Sequence, residues 1–578
     1  VIRRLAVPTA CFLGWIAWAA VLPSKAQAPS STTEASSSRP NSESGLEQPR
    51  GNSASVLEVD AQESAAAEAE FQKALGLERK RLWSSAMEVY EQALERWPAR
   101  SEFRHRLRLC ESHYKLGRRY QDPSFRSILL RMPREQALGL YDELLERIAE
   151  HYVEPVGAEP LVRRGLDNLE VALRDPWFLN TNRIQATPEQ IKQVRDVLRE
   201  HREQLAIHDR FAARREVDSC CQIMNRALGI RAAPVVLEFA YGASEALDAY
   251  SAYLSRDRLD DLYSMIDGNF VGLGVELKSE PRGLRLVGVI RGGPAWDAGL
   301  RTGDYIMAVE NRPVADLGLD ESANRLQGEA GTSVSITVAK AGGTTQTLSL
   351  TRRPVEVASV AQAELLDRAS GLGYLQLSAF QKNTVEEVRD AVQKLHNQGM
   401  KYLVIDLRGN PGGLLNVAVE IADLFLDAGV IVTTRGRAAN QSALYRAQPG
   451  NLGRMPIVLL IDHDSASASE ILAGALQENQ RAWVLGERSY GKGSVQSIFP
   501  LRSAPAGLKL TTAKFYSPRN RPYSEQGVEP DILSEIRARP KPDEVASPAA
   551  TVEFGNPERD PVLQQAIRLV RQQSSSAG

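Results

Sequence analysis

Residues 455–496 read MPIVLLIDHDSASASEILAGALQENQRAWVLGERSYGKGSVQ. The stretch opens as a short apolar run of strand character, MPIVLLID, and becomes helical in composition from SASASE onward. A strand that ends where a helix begins gathers free backbone N–H groups, and the helix dipole favours negative charge there. Ser465, Ser467 and Ser469 all stand at this junction. Serine is a preferred helix cap, so one of them can be explained that way. A single cap does not explain the whole run of alternating serine and alanine, whose small side chains let another backbone come close.

A serine nucleophile needs a base, and the region has few candidates. His463 lies four residues before Ser467, in the turn, and would need a sharp chain reversal to reach that hydroxyl. Lys492 stands between Gly491 and Gly493 and is the better candidate. An ordinary lysine, with a pKa of about 10.4, is protonated near neutrality, but burial disfavours the ammonium and yields a neutral amine. Such an amine accepts a serine proton in Ser–Lys chemistry. Gln496, four residues further on, offers an amide oxygen to aim it. The N–H after the nucleophile is placed to hold an oxyanion.

Outward from this stretch, strands and helices alternate. GLGYLQLSAF precedes TVEEVRDAVQKLHNQG, and KYLVIDLR precedes RGNPGG and the helix LLNVAVEIADLFL. This order predicts an α/β layer over 354–540 with a largely buried sheet and its chemistry at the carboxyl ends of strands. Residues 269–353 instead give five short β-type runs separated by Gly, Pro and Asp, a small barrel capped by helices. Residues 126–268 are expected to be a helical region with an insertion. In 66–125, Ala86, Tyr90, Ala93 and Pro98, with Ala74 and Leu77, follow tetratricopeptide-like spacing. Residues 29–65 have the composition of a disordered linker, and 541–578 of a tail with a short helix. Residues 1–28, with two arginines, an apolar run and Ala26-Gln27-Ala28, look like a cleaved signal peptide. The fold class is therefore multidomain α/β.

The chain has 578 residues, 25% of them charged, with a net charge of −2. Nothing points to nucleic acid or to an anionic membrane surface. Four cysteines, Cys11, Cys110, Cys220 and Cys221, exclude a disulfide framework once the leader is removed, and no Cys/His spacing suggests a metal. No cofactor is expected.

The segment DSASASEILAGALQENQRAWVLGERSYGKGSVQ resembles the carboxyl-terminal processing, or tail-specific, serine proteases. That family has a serine in the middle of the run, a lysine 25 positions on and a glutamine four after that, intervals kept by Ser467, Lys492 and Gln496. The resemblance extends over about 240–540: YLVIDLRGNPGGLLNVAVEIADLFL, KFYSPRNRPYSEQGVEPDI, the helical motif LDAYSAYLS, and FVGLGVEL through AGLRTGD, which is similar to the family's PDZ domain. Asp464 replaces a glycine common in the family. The resemblance implies an α/β serine protease core and an oxyanion hole from the N–H groups of Gly413 and Ala468. It also implies a carboxylate-binding loop in Gly272, Leu273, Gly274 and Val275, and substrates with accessible apolar carboxyl-terminal tails. Arg301 is a possible link from a bound tail to the catalytic site, though an ordinary surface arginine is the simpler reading. The N-terminal helices offer a surface for an adaptor or for self-association. The expected setting is the periplasm or cell envelope, with no stable membrane span after leader removal. The alternative is a non-catalytic scaffold that captures tails through the PDZ-like domain.

Overall fold

The computed structural model describes residues 53–280, 282–340, 343–449, 452–534 and 554–576. The expected signal peptide, the linker as far as residue 52 and the tail from 541 to 553 lie outside the described residues. The remainder of the expected linker needs correction, because α1 (Ser53–Arg79) is already helical across 53–65.

Three helices, α1, α2 (Trp83–Arg96) and α3 (Ser101–Gln121), form the first packed unit. Ala74 on α1 and Ala86, Tyr90 and Ala93 on α2 are buried there against Phe103 and Leu107 of α3. Their spacing puts one apolar face inward, so each helix needs the others to cover it. Next come α4 (Pro123–Ser127), α5 (Arg134–His151), α6 (Ala158–Ala172), α7 (Pro176–Thr181), α8 (Pro188–Glu203), α9 (Arg210–Leu228) and α10 (Ala232–Glu245). Gly165 of α6 and Gly242 of α10 allow the two backbones to touch, since a Cβ on Gly242 would lie 2.5 Å from Gly165 Cα.

This helical region is not a separate body. The strand β1 (Ala252–Ser255) and the helix α11 (Arg256–Ile266) follow it, and β1 pairs with a strand of the catalytic half, Tyr253 standing opposite Leu508. One apolar core takes in helices α5, α6, α9 and α10 together with Leu501, Leu508 and Leu510. Glu143 on α5 accepts from the N–H groups of Arg502 and Ser503. The expected boundary at 268 therefore separates sequence segments rather than structural units.

The β-rich segment begins with β2 (Asn269–Gly272), β3 (Val275–Glu280), β4 (Gly283–Val289), α12 (Pro294–Asp297), β5 (Tyr305–Val309), β6 (Arg312–Pro313) and α13 (Val314–Leu326). It closes with β7 (Ser333–Ala339), β8 (Thr345–Thr351) and β9 (Arg353–Glu356). Its main sheet runs β3-β4-β5-β7-β8, so β3 has one free edge. The strands β2 and β9 pair with each other as a two-stranded stalk, Phe270 opposite Val355. The domain thus leaves and rejoins the body through one ribbon, and its end falls at Glu356 rather than 353.

The last part contains β10 (Val360–Asp367), β11 (Leu372–Leu377), α14 (Thr384–Asn397), β12 (Tyr402–Asp406), α15 (Leu415–Phe425), β13 (Val430–Gly436) and β14 (Ala443–Arg446). It continues with β15 (Ile457–Ile461), α16 (Ala468–Glu478), β16 (Ala482–Gly486), β17 (Ser494–Pro500), β18 (Ala506–Tyr516), β19 (Ile532–Leu533) and α17 (Pro561–Ser576). The central sheet has the order β10-β11-β12-β15-β16-β19, parallel from β11 onward. All five residues of β15 are buried because the sheet is covered on both faces. Ile457, Leu459 and Ile461 face α14–α16, and Val458 and Leu460 face Val562, Leu563 and Ala566 of α17. The expected tail with a short helix thus supplies, through α17, the second wall of the core. A second sheet, β1-β18-β13-β14 with β17 on β18, carries the lysine loop.

Candidate active site

The three serines separate by their partners. Ser465 Oγ donates to the Leu407 carbonyl at 2.8 Å, and Ser469 Oγ donates to the Asn410 carbonyl at 2.9 Å. Both side chains are fully buried and spent on holding the junction. The Ser467 hydroxyl donates no hydrogen bond among the described residues. Its backbone has φ 58° and ψ −112°, a conformation that non-glycine residues adopt only at a cost of about 1–3 kcal/mol. The turn is held from both sides. Ser467 N–H donates to Glu470 Oε2 at 2.7 Å, and Ala466 N–H donates to the Asn410 carbonyl at 3.1 Å.

Glu470 organises more than the helix start. Its Oε2 also accepts from Lys492 N–H at 2.9 Å, and its Oε1 accepts from Gly491 N–H and Ser489 Oγ, each at 2.6 Å. One buried carboxylate therefore joins the backbone of Ser467 to the loop that carries Lys492. Burial pushes the Glu470 pKa up, against the pull of these four donors. The sequence reading missed this residue, although Ser467-Ala-Ser-Glu470 has the spacing of a capping box.

Lys492 Nζ lies 4.9 Å from the ring centre of Tyr250. Burial pushes its pKa below the ordinary lysine value, while Glu470 and Asp248 pull the other way. Gln496 uses its amide nitrogen on Ser494 Oγ at 2.9 Å and on Thr511 Oγ1 at 3.3 Å. Its Oε1 receives no donor among the described residues. The same residues show no hydrogen bond joining Ser467 Oγ, Lys492 Nζ and Gln496 to one another. Catalytic contacts are often loose before substrate binds. His463 faces Asp464 and Glu487, each at 3.4 Å, and is 43% exposed on its side chain. The Glu487 contact raises its pKa.

The turn after β12 supplies the opposite wall. Gly412 has φ 101°, and a Cβ there would fall 2.9 Å from Ser467 Cβ and 2.6 Å from the Ala466 carbonyl. Only glycine lets this turn lie against the serine. Gly413 is bridged to Phe380, with Leu414 N–H donating to the Phe380 carbonyl at 2.8 Å. The N–H groups of Gly413 and Ala468 donate to no acceptor among the described residues. Asn410 fixes the turn, donating to the Leu377 carbonyl at 2.7 Å and accepting from Gly412 N–H at 2.8 Å. Asp462 accepts from Gly409, Asp464 and Ser465 N–H groups, and burial pushes its pKa up to about 6. Beneath the turn, fully buried Arg408 pairs with Asp406 and with Asp560, both at 2.5 Å. Asp560 lies 152 residues away in sequence, which is why no local pattern pointed to it.

In the β-rich domain, the Leu273 and Gly274 carbonyls accept from Ala295 and Ile290. The N–H groups of Leu273 and Gly274 donate to nothing among the described residues, beside the free edge of β3. Arg301 folds back on its own domain. It donates to the Trp296 and Leu300 carbonyls and lies 4.0 Å over the Trp296 ring.

The sequence pattern of peptidase family S41 matches residues 371–534, and that of a PDZ domain matches 285–340. A carboxy-terminal-processing protease of Bartonella bacilliformis is 37% identical over 297 residues, covering 50% of this chain and 67% of that one. A carboxyl-terminal-processing protease of Synechocystis is 40% identical over 268 residues, 46% of this chain and 62% of that one. One of Picosynechococcus is 36% identical over 289 residues, 49% and 69%. Among solved structures, a photosystem II D1 C-terminal processing protease aligns with 69% of this chain and 93% of its own, at 24% identity and a TM-score of 0.38. The chain belongs to the carboxyl-terminal-processing proteases of peptidase family S41, with a PDZ domain. It spans roughly six- to seven-tenths of the length of the curated relatives named here.

Proposed function

We propose that this protein is an exported serine endopeptidase that takes protein carboxyl-terminal tails at its PDZ domain and cuts them with a Ser467–Lys492 pair. The observation that carries the reading is the division among the serines. Ser465 and Ser469 are committed to backbone carbonyls, while Ser467 sits in a strained turn joined through Glu470 to the Lys492 loop.

In this mechanism, neutral Lys492 Nζ takes the proton of Ser467 Oγ as that oxygen attacks the peptide carbonyl carbon. The carbonyl oxygen becomes an oxyanion held by the N–H groups of Gly413 and Ala468, each worth about 2.7–4 kcal/mol. The carbon–nitrogen bond breaks as Lys492 returns the proton to the leaving amine, leaving an ester on Ser467. Lys492 then removes a proton from water as that water attacks the ester carbonyl carbon, and returns it to Ser467 Oγ as the ester bond breaks and the acid leaves. Gln496 orients the amine through its Oε1. The tail's carboxylate meets the N–H groups of Leu273 and Gly274 while its backbone adds to the edge of β3. The N-terminal helices dock an adaptor or a second copy. Among the described residues no helix is long and apolar enough to cross a membrane.

The test is digestion of an unfolded protein with an apolar carboxyl-terminal tail, with cuts located by mass spectrometry. Wild type cleaves; Ser467→Ala and Lys492→Ala do not. Cleavage surviving in Lys492→Ala would overturn the pair and return attention to His463. Tail binding without any cleavage would favour a scaffold.

A further inference from the structure

Glu276 follows directly on the loop with the free N–H groups. Its neighbours Val275 and Leu277 are 6% and 0% exposed and point into the domain core, so Glu276 points to the opposite face of β3. It is half-buried, and no hydrogen bond or ion pair engages its carboxylate among the described residues. The residue across the ladder is Gly288. A Cβ on Gly288 would lie 2.7 Å from Glu276 Oε2 and 3.1 Å from its Cβ. The absence of a side chain there leaves a shallow notch with the carboxylate lying over it. Among the described residues, the other charged groups on this face of β3 and β4 are Lys278, two residues along, its cross-strand partner Arg285, and Glu280, which pairs with Arg285 at 3.5 Å. Burial alone holds the Glu276 carboxyl up at about 7.

A half-buried carboxylate without a partner is costly, and an incoming cation offsets that cost. A tail added antiparallel to β3, with its carboxylate on Leu273 and Gly274, sets its last residue opposite Val275. Its penultimate residue then stands opposite Glu276 and shares its face.

We propose that Glu276 is a specificity-determining residue that selects tails with lysine or arginine at the penultimate position. This rests on the tail-capture reading above, and it narrows the substrate class from apolar tails to tails with an apolar end and a basic residue before it. The long stem of lysine or arginine reaches from the free edge across the outer face of β3 and brings its charge to the carboxylate, which lies over Gly288.

The experiment uses the full chain carrying Ser467→Ala, to prevent cleavage, and fluorescent peptides identical except for lysine, alanine or glutamate at the penultimate position. Anisotropy near pH 8 should show the lysine tail binding about tenfold more tightly than the alanine tail. Adding Glu276→Gln should make the lysine and alanine tails bind alike, and Glu276→Lys should reverse the preference in favour of glutamate. The lysine preference should also fade as pH falls through about 7, where the carboxyl takes up a proton. Equal affinity for lysine and alanine tails would overturn the assignment while leaving tail capture intact. A tail that binds equally well with its carboxylate amidated, or no binding by any tail, would overturn tail capture and this inference with it.

Discussion

Asp560→Ala should damage both the stability of the core and the geometry of the oxyanion turn. Arg408 is fully buried and its donors are divided between two carboxylates. Nε and Nη2 reach Asp406, while Nη1 and Nη2 reach Asp560 at 2.9 and 2.5 Å. Truncating Asp560 leaves Nη1 without an acceptor in a dry interior, and breaking a buried pair in this way costs about 3–5 kcal/mol. The same carboxylate caps α17, accepting from Leu563 N–H at 3.0 Å. Losing a cap adds about 1 kcal/mol. Removing one of two like charges beside Arg408 relieves some repulsion, so a net loss of about 3 kcal/mol is expected. Urea unfolding of the full chain should show a lower midpoint at an unchanged slope. Hydrogen exchange should show lost protection in both 561–572 and 403–408, and kcat should fall more than KM rises. A loss below about 1 kcal/mol, with α17 still protected, would refute the coupling between this helix and the turn.

Three further outcomes follow from the same geometry. Glu470→Gln places an NH2 group against backbone N–H donors, so buried donors lose their acceptor. Activity should fall by at least about a hundredfold and stability by roughly 3 kcal/mol, read by steady-state kinetics and thermal melting. Gly412→Ala should abolish cleavage with the fold retained by circular dichroism, because the new methyl would overlap the Ala466 carbonyl and Ser467 Cβ. The rate should rise with pH. Below its pKa Lys492 is an ammonium and accepts no proton, and since burial lowers that pKa the rising limb should fall below the ordinary lysine value of about 10.4. A rate independent of pH through that limb would argue against an amine base.

Local patterns made much of the site legible. The strand β15 ends at Ile461 and α16 begins at Ala468, close to where MPIVLLID and SASASE set the change of period. The RGNPGG turn lies against the serine run, as its place after β12 suggested. Local pattern left three serines open and only the family intervals singled out Ser467, because the physical facts that set the serines apart are the partners of Ser465 and Ser469 at a separate strand end. The role of α17 was hidden for a related reason. Val562, Leu563 and Ala566 have ordinary helical spacing, and nothing local says that they cover the far face of β12 and β15. Asp560 is one charge among many until Arg408 is seen beside it. The union of the N-terminal helices with β17 and β18 is likewise a long-range packing result.

The most direct test of the central claim is covalent labelling with a peptidyl fluorophosphonate, followed by peptide mapping of wild type and Lys492→Ala. Labelling of Ser467 alone in wild type, and its loss in Lys492→Ala, is the predicted result. A label on Ser465 or Ser469, or equal labelling of Ser467 without the lysine, would contradict it.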